Sequence, residues 1–120
     1  MKNTIAASQA TGVELFGLFE LDPTGTVLYH RVDPETESPT EAVNIAGRNF
    51  YDDVAPFENA ADFRQHVEQF TDSTKFADSF NFECLCEGNG QPVRVLLARI
   101  REASDPGMTK SILVHIRRAA

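Results

Sequence analysis

Apolar residues alternate with polar ones along most of this chain and take up a helical period in one stretch near its middle. The run Val13-Glu14-Leu15-Phe16-Gly17-Leu18-Phe19-Glu20-Leu21-Asp22 is rich in Phe and Leu and stops at Pro23-Thr24-Gly25, a turn signal. Thr26–Val32 reads as the strand returning from that turn, so the pair predicts an antiparallel hairpin. Residues 33–41 are acidic, hold Pro34 and Pro39, and read as an exposed connection. Ser38 or Thr40 is placed to cap a short helix over Glu41–Ile45, which Gly47 stops. A longer helix is predicted from about Ala60 to Asp72. With Phe63 at zero and about 100° per residue, Val67 falls near 40°, Phe70 near −20° and Ala60 near 60°. His66 falls near −60°, on the flank of that apolar face, and Arg64, Gln65, Glu68 and Gln69 point away.

The rest of the pattern has a period of two. Ala77–Cys86 puts Phe80, Phe82, Cys84 and Cys86 on one face and Glu83 and Leu85 on the other. Glu87–Pro92 reads as a hairpin turn, and Val93–Ile100 follows with Val93, Val95 and Leu97 inward and Arg94 and Arg99 outward or at an edge. After a turn at Ser104-Asp105-Pro106-Gly107, the last strand is Ser111–Arg117, with Ile112, Val114 and Ile116 on one face. No internal repeat or low-complexity segment is present.

Composition narrows this picture. The 120 residues make one domain with room for a single core, and nine Phe with no Trp suit either an internal pocket or a core packed with rings. Eleven basic against 18 acidic residues give a net charge of −7, which disfavours binding to nucleic acid. No stretch approaches the ~18 consecutive apolar residues of a membrane span, and no signal-peptide pattern opens the chain, so a cytoplasmic protein without a membrane role is expected. Cys84 and Cys86 share a strand face, and a free buried thiol there packs as a small apolar group. Asp52 and Asp53 are neighbours on a helical turn and point apart, so they are not a catalytic pair. Ser111 and His115 lie too far apart along a strand to bond, no phosphate-cradling loop or metal cluster can be assembled, and no enzyme is expected.

The stretch Gly47-Arg48-Asn49-Phe50-Tyr51-Asp52-Asp53-Val54-Ala55-Pro56 closely resembles the segment of photoactive yellow proteins that leads into their chromophore-bearing cysteine. Here the next residue is Phe57. The likeness runs from about Leu15 to Arg118, through Leu15-Phe16-Gly17, Leu21-Asp22, the Gly25 turn, Val27-Leu28, Phe82-Glu83 and the closing Val114-His115-Ile116-Arg117-Arg118. It implies a PAS domain: an α+β fold with a five-stranded antiparallel sheet and short helices packed over one face. The domain is expected over 12–120, behind an N-terminal arm at 1–11.

The family's photochemistry needs a cysteine thioester to a hydroxycinnamate, with a tyrosine and a protonated glutamate bonding the phenolate. Phe57 offers no thiolate, so no covalent chromophore is expected. By the Asp22–Gly25 turn, the tyrosine position falls on His30, between Tyr29 and Arg31, and the glutamate position falls near Pro34 or Glu35. His30, if inward, is a titratable group beside Phe57 and Cys84; otherwise it faces solvent or a backbone carbonyl. Haem-binding PAS sensors carry an axial histidine on the main helix. Phe63 rather than His66 holds the centre of that face, so haem is not expected.

Two functions then compete. In one, a pocket floored by Phe50, Phe57, Phe63, Cys84, Cys86 and Val95, with His30 as anchor, holds a small aromatic or fatty molecule without a covalent bond. In the other, the core is filled and the domain works as a signalling and interaction module. No output domain follows the last strand before Ala120, so a signal is expected to leave by docking to another protein or to a second copy, the homodimer being favoured by resemblance. Leu85, Leu96, Leu113 and Phe16 are the expected apolar patch on the outer sheet face. The interaction function is taken as the leading one.

Overall fold

The computed structural model describes residues 14–32 and 44–119. The arm at 1–11, the acidic connection at 33–41 and most of the short helix expected at 41–45 lie outside the described residues. The described chain runs β1 (Gly17–Leu21), β2 (Val27–Val32), a π-helical turn (Phe50–Val54), α1 (Ala60–Asp72), β3 (Ala77–Cys86), β4 (Asn89–Arg101) and β5 (Thr109–Arg118). The strands form one antiparallel sheet in the order β2-β1-β5-β4-β3, so the two halves of the chain meet where β1 pairs with β5.

Alternation decides which side of the sheet is the core. Phe19 and Leu21 of β1, Val93, Val95 and Leu97 of β4, and Ile112, Val114 and Ile116 of β5 are all buried. The apolar face of α1 (Ala60, Phe63, Val67 and Phe70) is buried too, in the same core cluster. The helix and the π-helical turn therefore cover one face, and the sheet's other face carries the alternate residues.

Three expectations change. The β3–β4 hairpin turns on two residues, Glu87 and Gly88, rather than on six, with φ of 55° and 84°. Two successive residues at positive φ match the right-handed twist of a tight hairpin, so pairing resumes at once and β4 begins at Asn89. Pro92 is tolerated inside β4 because the position opposite it on β5 falls beyond Arg118, where no strand carbonyl waits for the N–H that proline lacks. The largest change is Arg99, which was expected outward or at an edge and is 7% exposed. It lies on the inner face with Val95 and Leu97, where its guanidinium donates to the carbonyls of Phe70, Thr71, Ser73 and Lys75 and to the Thr109 hydroxyl, at 2.6–3.1 Å. Phe70 and Thr71 lie in the last turn of α1 and Ser73 and Lys75 just beyond it, so the cation also meets the negative end of the helix dipole.

Candidate functional site

The central stretch is held against the first hairpin by backbone bonds. Val27 N–H donates to Arg48 O (2.9 Å), Gly47 N–H to Val27 O (2.8 Å) and Phe50 N–H to Gly25 O (2.8 Å). Gly25 sits at φ +95°, and a Cβ there would meet the Tyr51 ring at 2.7–2.9 Å, so the close approach of turn and ring requires glycine. Asn49 caps the π-helical turn: its Oδ1 accepts from Tyr51 N–H and Asp52 N–H, and its Nδ2 donates to Thr24 O. Asp53 returns the favour by accepting from Asn49 N–H. Burial pushes the Tyr51 phenol well above its usual range, and Arg64 lies over its ring at 5.3 Å.

This frame drives Phe50 fully inside, where it begins a continuous aromatic cluster. Its ring lies 4.9 Å from Phe19, 6.2 Å from Phe57 and 5.9 Å from Phe63, centroid to centroid. Phe57, 5% exposed, lies 5.3 Å from Phe63 and 6.2 Å from Phe82, and Phe63 lies 5.3 Å from Phe82. Cys84 and Val95 are fully buried in the same core, while Cys86 is half-buried with its Sγ directed at Pro56 O (3.7 Å). Burial pushes the Cys84 thiol up to about 12, and burial with nearby Glu58 and Glu87 pushes Cys86 up as well. Both are poor nucleophiles at neutral pH.

His30 does point inward, but not to where the sequence put it. It stacks on Phe19 at 4.6 Å with the rings 15° from parallel. It sits on β2, at the opposite edge of the sheet from Cys84 on β3, four strand spacings or ~19 Å away. Among the described residues its ring path to Phe57 passes through Phe19 and Phe50. Among the described residues the buried Nε2 atom has no hydrogen-bond partner, and burial lowers the imidazole pKa. His66 is exposed and stacks on Phe80 at 4.5 Å, on the flank of α1, while Phe63 takes the centre.

Two of the concavities lined by described residues open on the surface. One, of about 280 Å³, lies between the first hairpin turn, Tyr51, Val67, Glu68, Thr71, Asp72 and Ile112. The other is an open groove of about 550 Å³ over Asn81–Glu83 and Pro92–Arg94. Neither is lined by Phe57, Phe63 or Cys84. Among the described residues no group of three His, Cys, Asp or Glu side chains is placed to hold a metal ion.

The outer sheet face is the second place where predicted residues meet. Register sets Leu96 opposite His115 and His115 opposite Leu18, with Arg31 beside Leu18 on β2. The next row is Ala98, Leu113, Glu20 and Tyr29, and Ile100 stands opposite Ser111. Leu96 and Leu113 thus join Leu18, Ala98 and Ile100 in an apolar stripe over β1, β5 and β4, and all five are half-buried. Leu85 is exposed but stands apart, opposite Gly90 at the hairpin end. Phe16, expected on this face, instead belongs to the core: it is 8% exposed, with Arg118 over its ring at 4.6 Å. Leu18, Ala98 and Ile100 were missed because strand order, which alternation alone does not supply, decides which outward residues are neighbours.

No protein-family model matches the sequence, and no curated protein matches it. Solved structures do. The photoactive yellow protein domain of the sensor histidine kinase Ppr from Rhodospirillum centenum is similar with a TM-score of 0.62 at 17% identity, covering 88% of this chain and 92% of that one. The PAS domain of Bordetella pertussis BvgS gives 0.59 at 11% identity over 88% and 77%. The PAS domain of an HTR-like protein from Haloarcula marismortui gives 0.50 at 16% over 93% and 88%. With a five-stranded antiparallel sheet, helices on one face and these likenesses along most of its length, the chain has the PAS fold.

Proposed function

We propose that this chain is a non-photoactive, non-catalytic PAS signalling module that works by docking to another protein or to a second copy through the outer face of its sheet. The carrying observation is the stripe of Leu18, Leu96, Ala98, Leu113 and Ile100 on the face opposite α1. Contiguous apolar surface of this kind marks interfaces. Phe57 supplies no thiolate where the related segment of photoactive yellow proteins precedes a cysteine, so the chain's residues do not fit a thioester-bound hydroxycinnamate. The ring contacts of Phe57 with Phe50, Phe63 and Phe82 favour a core that is its own filling. The signalling role follows the company of the fold: one similar domain belongs to the sensor histidine kinase Ppr.

A second reading, a small apolar ligand held without a covalent bond, has one observation in its favour, the buried and unpartnered Nε2 of His30. Native mass spectrometry with an absorption spectrum, on protein purified without additives, separates the two. Docking predicts the bare chain mass, no Soret band, and self-association or partner capture that Leu96→Asp abolishes. Added mass on the folded chain that His30→Ala removes would establish the ligand reading instead.

A further inference from the structure

We propose that the Asn89–Gly90 step, at the open end of the β3–β4 hairpin, modifies itself. The Asn89 side chain closes to a succinimide and hydrolyses to aspartate and isoaspartate, which loosens that end of the sheet as the protein ages. The sequence supplies the first observation. Of the six asparagines in the chain, Asn89 alone is followed by glycine; the others precede Thr4, Ile45, Phe50, Ala60 and Phe82. Ring closure brings the next residue's backbone nitrogen to the asparagine Cγ, and glycine, without a Cβ, hinders that approach least. Hydrogen bonding separates the described asparagines in the same way. Asn44 Oδ1 accepts from Ala46 N–H, Asn49 caps the π-helical turn, Asn59 bonds Glu83 O and Leu85 N–H, and Asn81 Oδ1 accepts from Arg94. The Asn89 amide has no hydrogen-bond partner among the described residues, and Asn89 and Gly90 are both exposed.

Register leaves the attacking nitrogen free as well. Residues of β4 turn their backbone groups alternately to β3 and to β5. Arg99 N–H donates to Phe76 O, so odd-numbered positions face β3 and even-numbered ones face β5. Gly90 therefore points its N–H toward β5, whose pairing with β4 stops at Arg118 opposite Val93 and does not reach it. Asn89 is tied on one side only, to Cys86 across the hairpin. The Glu83 carboxylate lies across Gly90, in the space that a Cβ would take, so the packing that requires glycine also keeps the reactive pair. The negative charge of Glu83 opposes loss of the Gly90 amide proton and keeps the reaction slow.

The atoms balance with water as the other reactant. Solvent base removes the Gly90 amide proton, the nitrogen bonds to Asn89 Cγ, the Cγ–Nδ2 bond breaks, and ammonia leaves with a proton from solvent. Water then opens the ring at either carbonyl. One opening gives aspartate; the other gives isoaspartate, whose backbone runs through the former side chain and is longer by a carbon. Either product adds a carboxylate opposite Cys86, where Glu58 and Glu87 already push the thiol pKa up. Isoaspartate also shifts the Cys86–Asn89 and Leu85–Gly90 register. Those pairs adjoin the bonds by which Glu58 N–H and the Asn59 side chain hold Leu85, so the segment after Phe57 loses part of its tie to β3.

The test ages the whole chain at mildly alkaline pH, folded and in urea, and follows each asparagine by peptide mapping with mass spectrometry. Acid is expected at Asn89 about tenfold faster, or more, than at Asn44, Asn49, Asn59 or Asn81 of the folded protein. Its rate at Asn89 should lie within several-fold of the rate in urea, because the hairpin end opens locally. Asn89→Gln, whose longer side chain closes the ring far more slowly, should leave the urea midpoint of fresh protein unchanged. It should also remove the decline in midpoint that ageing brings to the wild type. Asn89→Asp adds the charge without the longer backbone and should show only part of that decline. If Asn89 stays an amide in the folded protein while it converts in urea, pairing with Cys86 holds the backbone and the proposal is overturned. Equal conversion at Asn49 or Asn59 would overturn it too, as would a fully converted protein with an unchanged midpoint.

Discussion

His30 shows how a single buried atom ties the fold to pH. Its ring lies on Phe19, its buried Nε2 has no hydrogen-bond partner among the described residues, and burial lowers its pKa below the usual 6.5. In the unfolded chain the imidazole takes a proton near pH 6.5, whereas in the folded chain it resists until lower pH. Between those two values the unfolded state binds more protons, so stability rises with pH there and falls as pH drops below 6.5. Urea midpoints measured from pH 7.5 down to about 5 should therefore decline in the wild type, and His30→Phe should remove that part of the decline. An unchanged slope in the variant would mean that Nε2 finds a partner in solution. The cysteines give no comparable handle, since both thiols are pushed away from neutral pH.

At the scale of elements, Arg99 is the tie between α1 and the sheet. Five hydrogen bonds run from one side chain to four carbonyls and a hydroxyl, while its guanidinium lies over the Phe70 ring at 5.0 Å. Arg99→Met keeps an apolar stem and removes the donors, leaving the part-buried carbonyls of Thr71, Ser73 and Lys75 without this partner, at a cost of about 2–4 kcal/mol in chemical denaturation. A loss below about 0.5 kcal/mol would mean that water replaces the guanidinium without penalty. Arg99 also marks where the sequence stopped being legible. The bounds of α1 and β3 were readable because periodicity and burial agree: Phe63, Val67 and Phe70 keep one helix face, and Phe80, Phe82, Cys84 and Cys86 keep one strand face. The same alternation placed position 99 inward with Val95 and Leu97, but charge argued outward, and only the folded helix end supplies the acceptors that settle it. Register failed for a similar reason. The Gly, Asn and Pro around residue 90 read as a long turn, yet Glu87 accepts a left-handed conformation and Pro92 faces the place where β5 has ended. His30 was legible as inward-facing in one alternative, while its separation from Cys84 depends on strand order, which no local pattern carries.

For the whole molecule, the decisive question is whether the space between helix and sheet is occupied by the protein itself. Phe57 is the residue that answers it, because it stands where the related segment of photoactive yellow proteins turns to its cysteine and because it touches Phe50, Phe63 and Phe82 at once. If the core is close-packed there, Phe57→Ala removes a ring whose neighbours are fixed by α1, β3 and the π-helical turn, and they relax only in part. The expected loss is about 3–4 kcal/mol, a large share of the ~5–15 kcal/mol that holds a domain together, so the variant should be studied at low temperature. A dry cavity lined by rings binds small aromatic molecules, so benzene should raise the variant's urea midpoint and leave the wild type unmoved. The converse result is equally informative. A loss near 1 kcal/mol, with the wild type itself stabilised by benzene, would mean that Phe57 borders open space, and ligand sensing would replace docking as the proposed function. A filled interior would favour the proposed docking through the stripe from Leu18 to Leu96, the broad apolar stripe of the outer sheet face among the described residues.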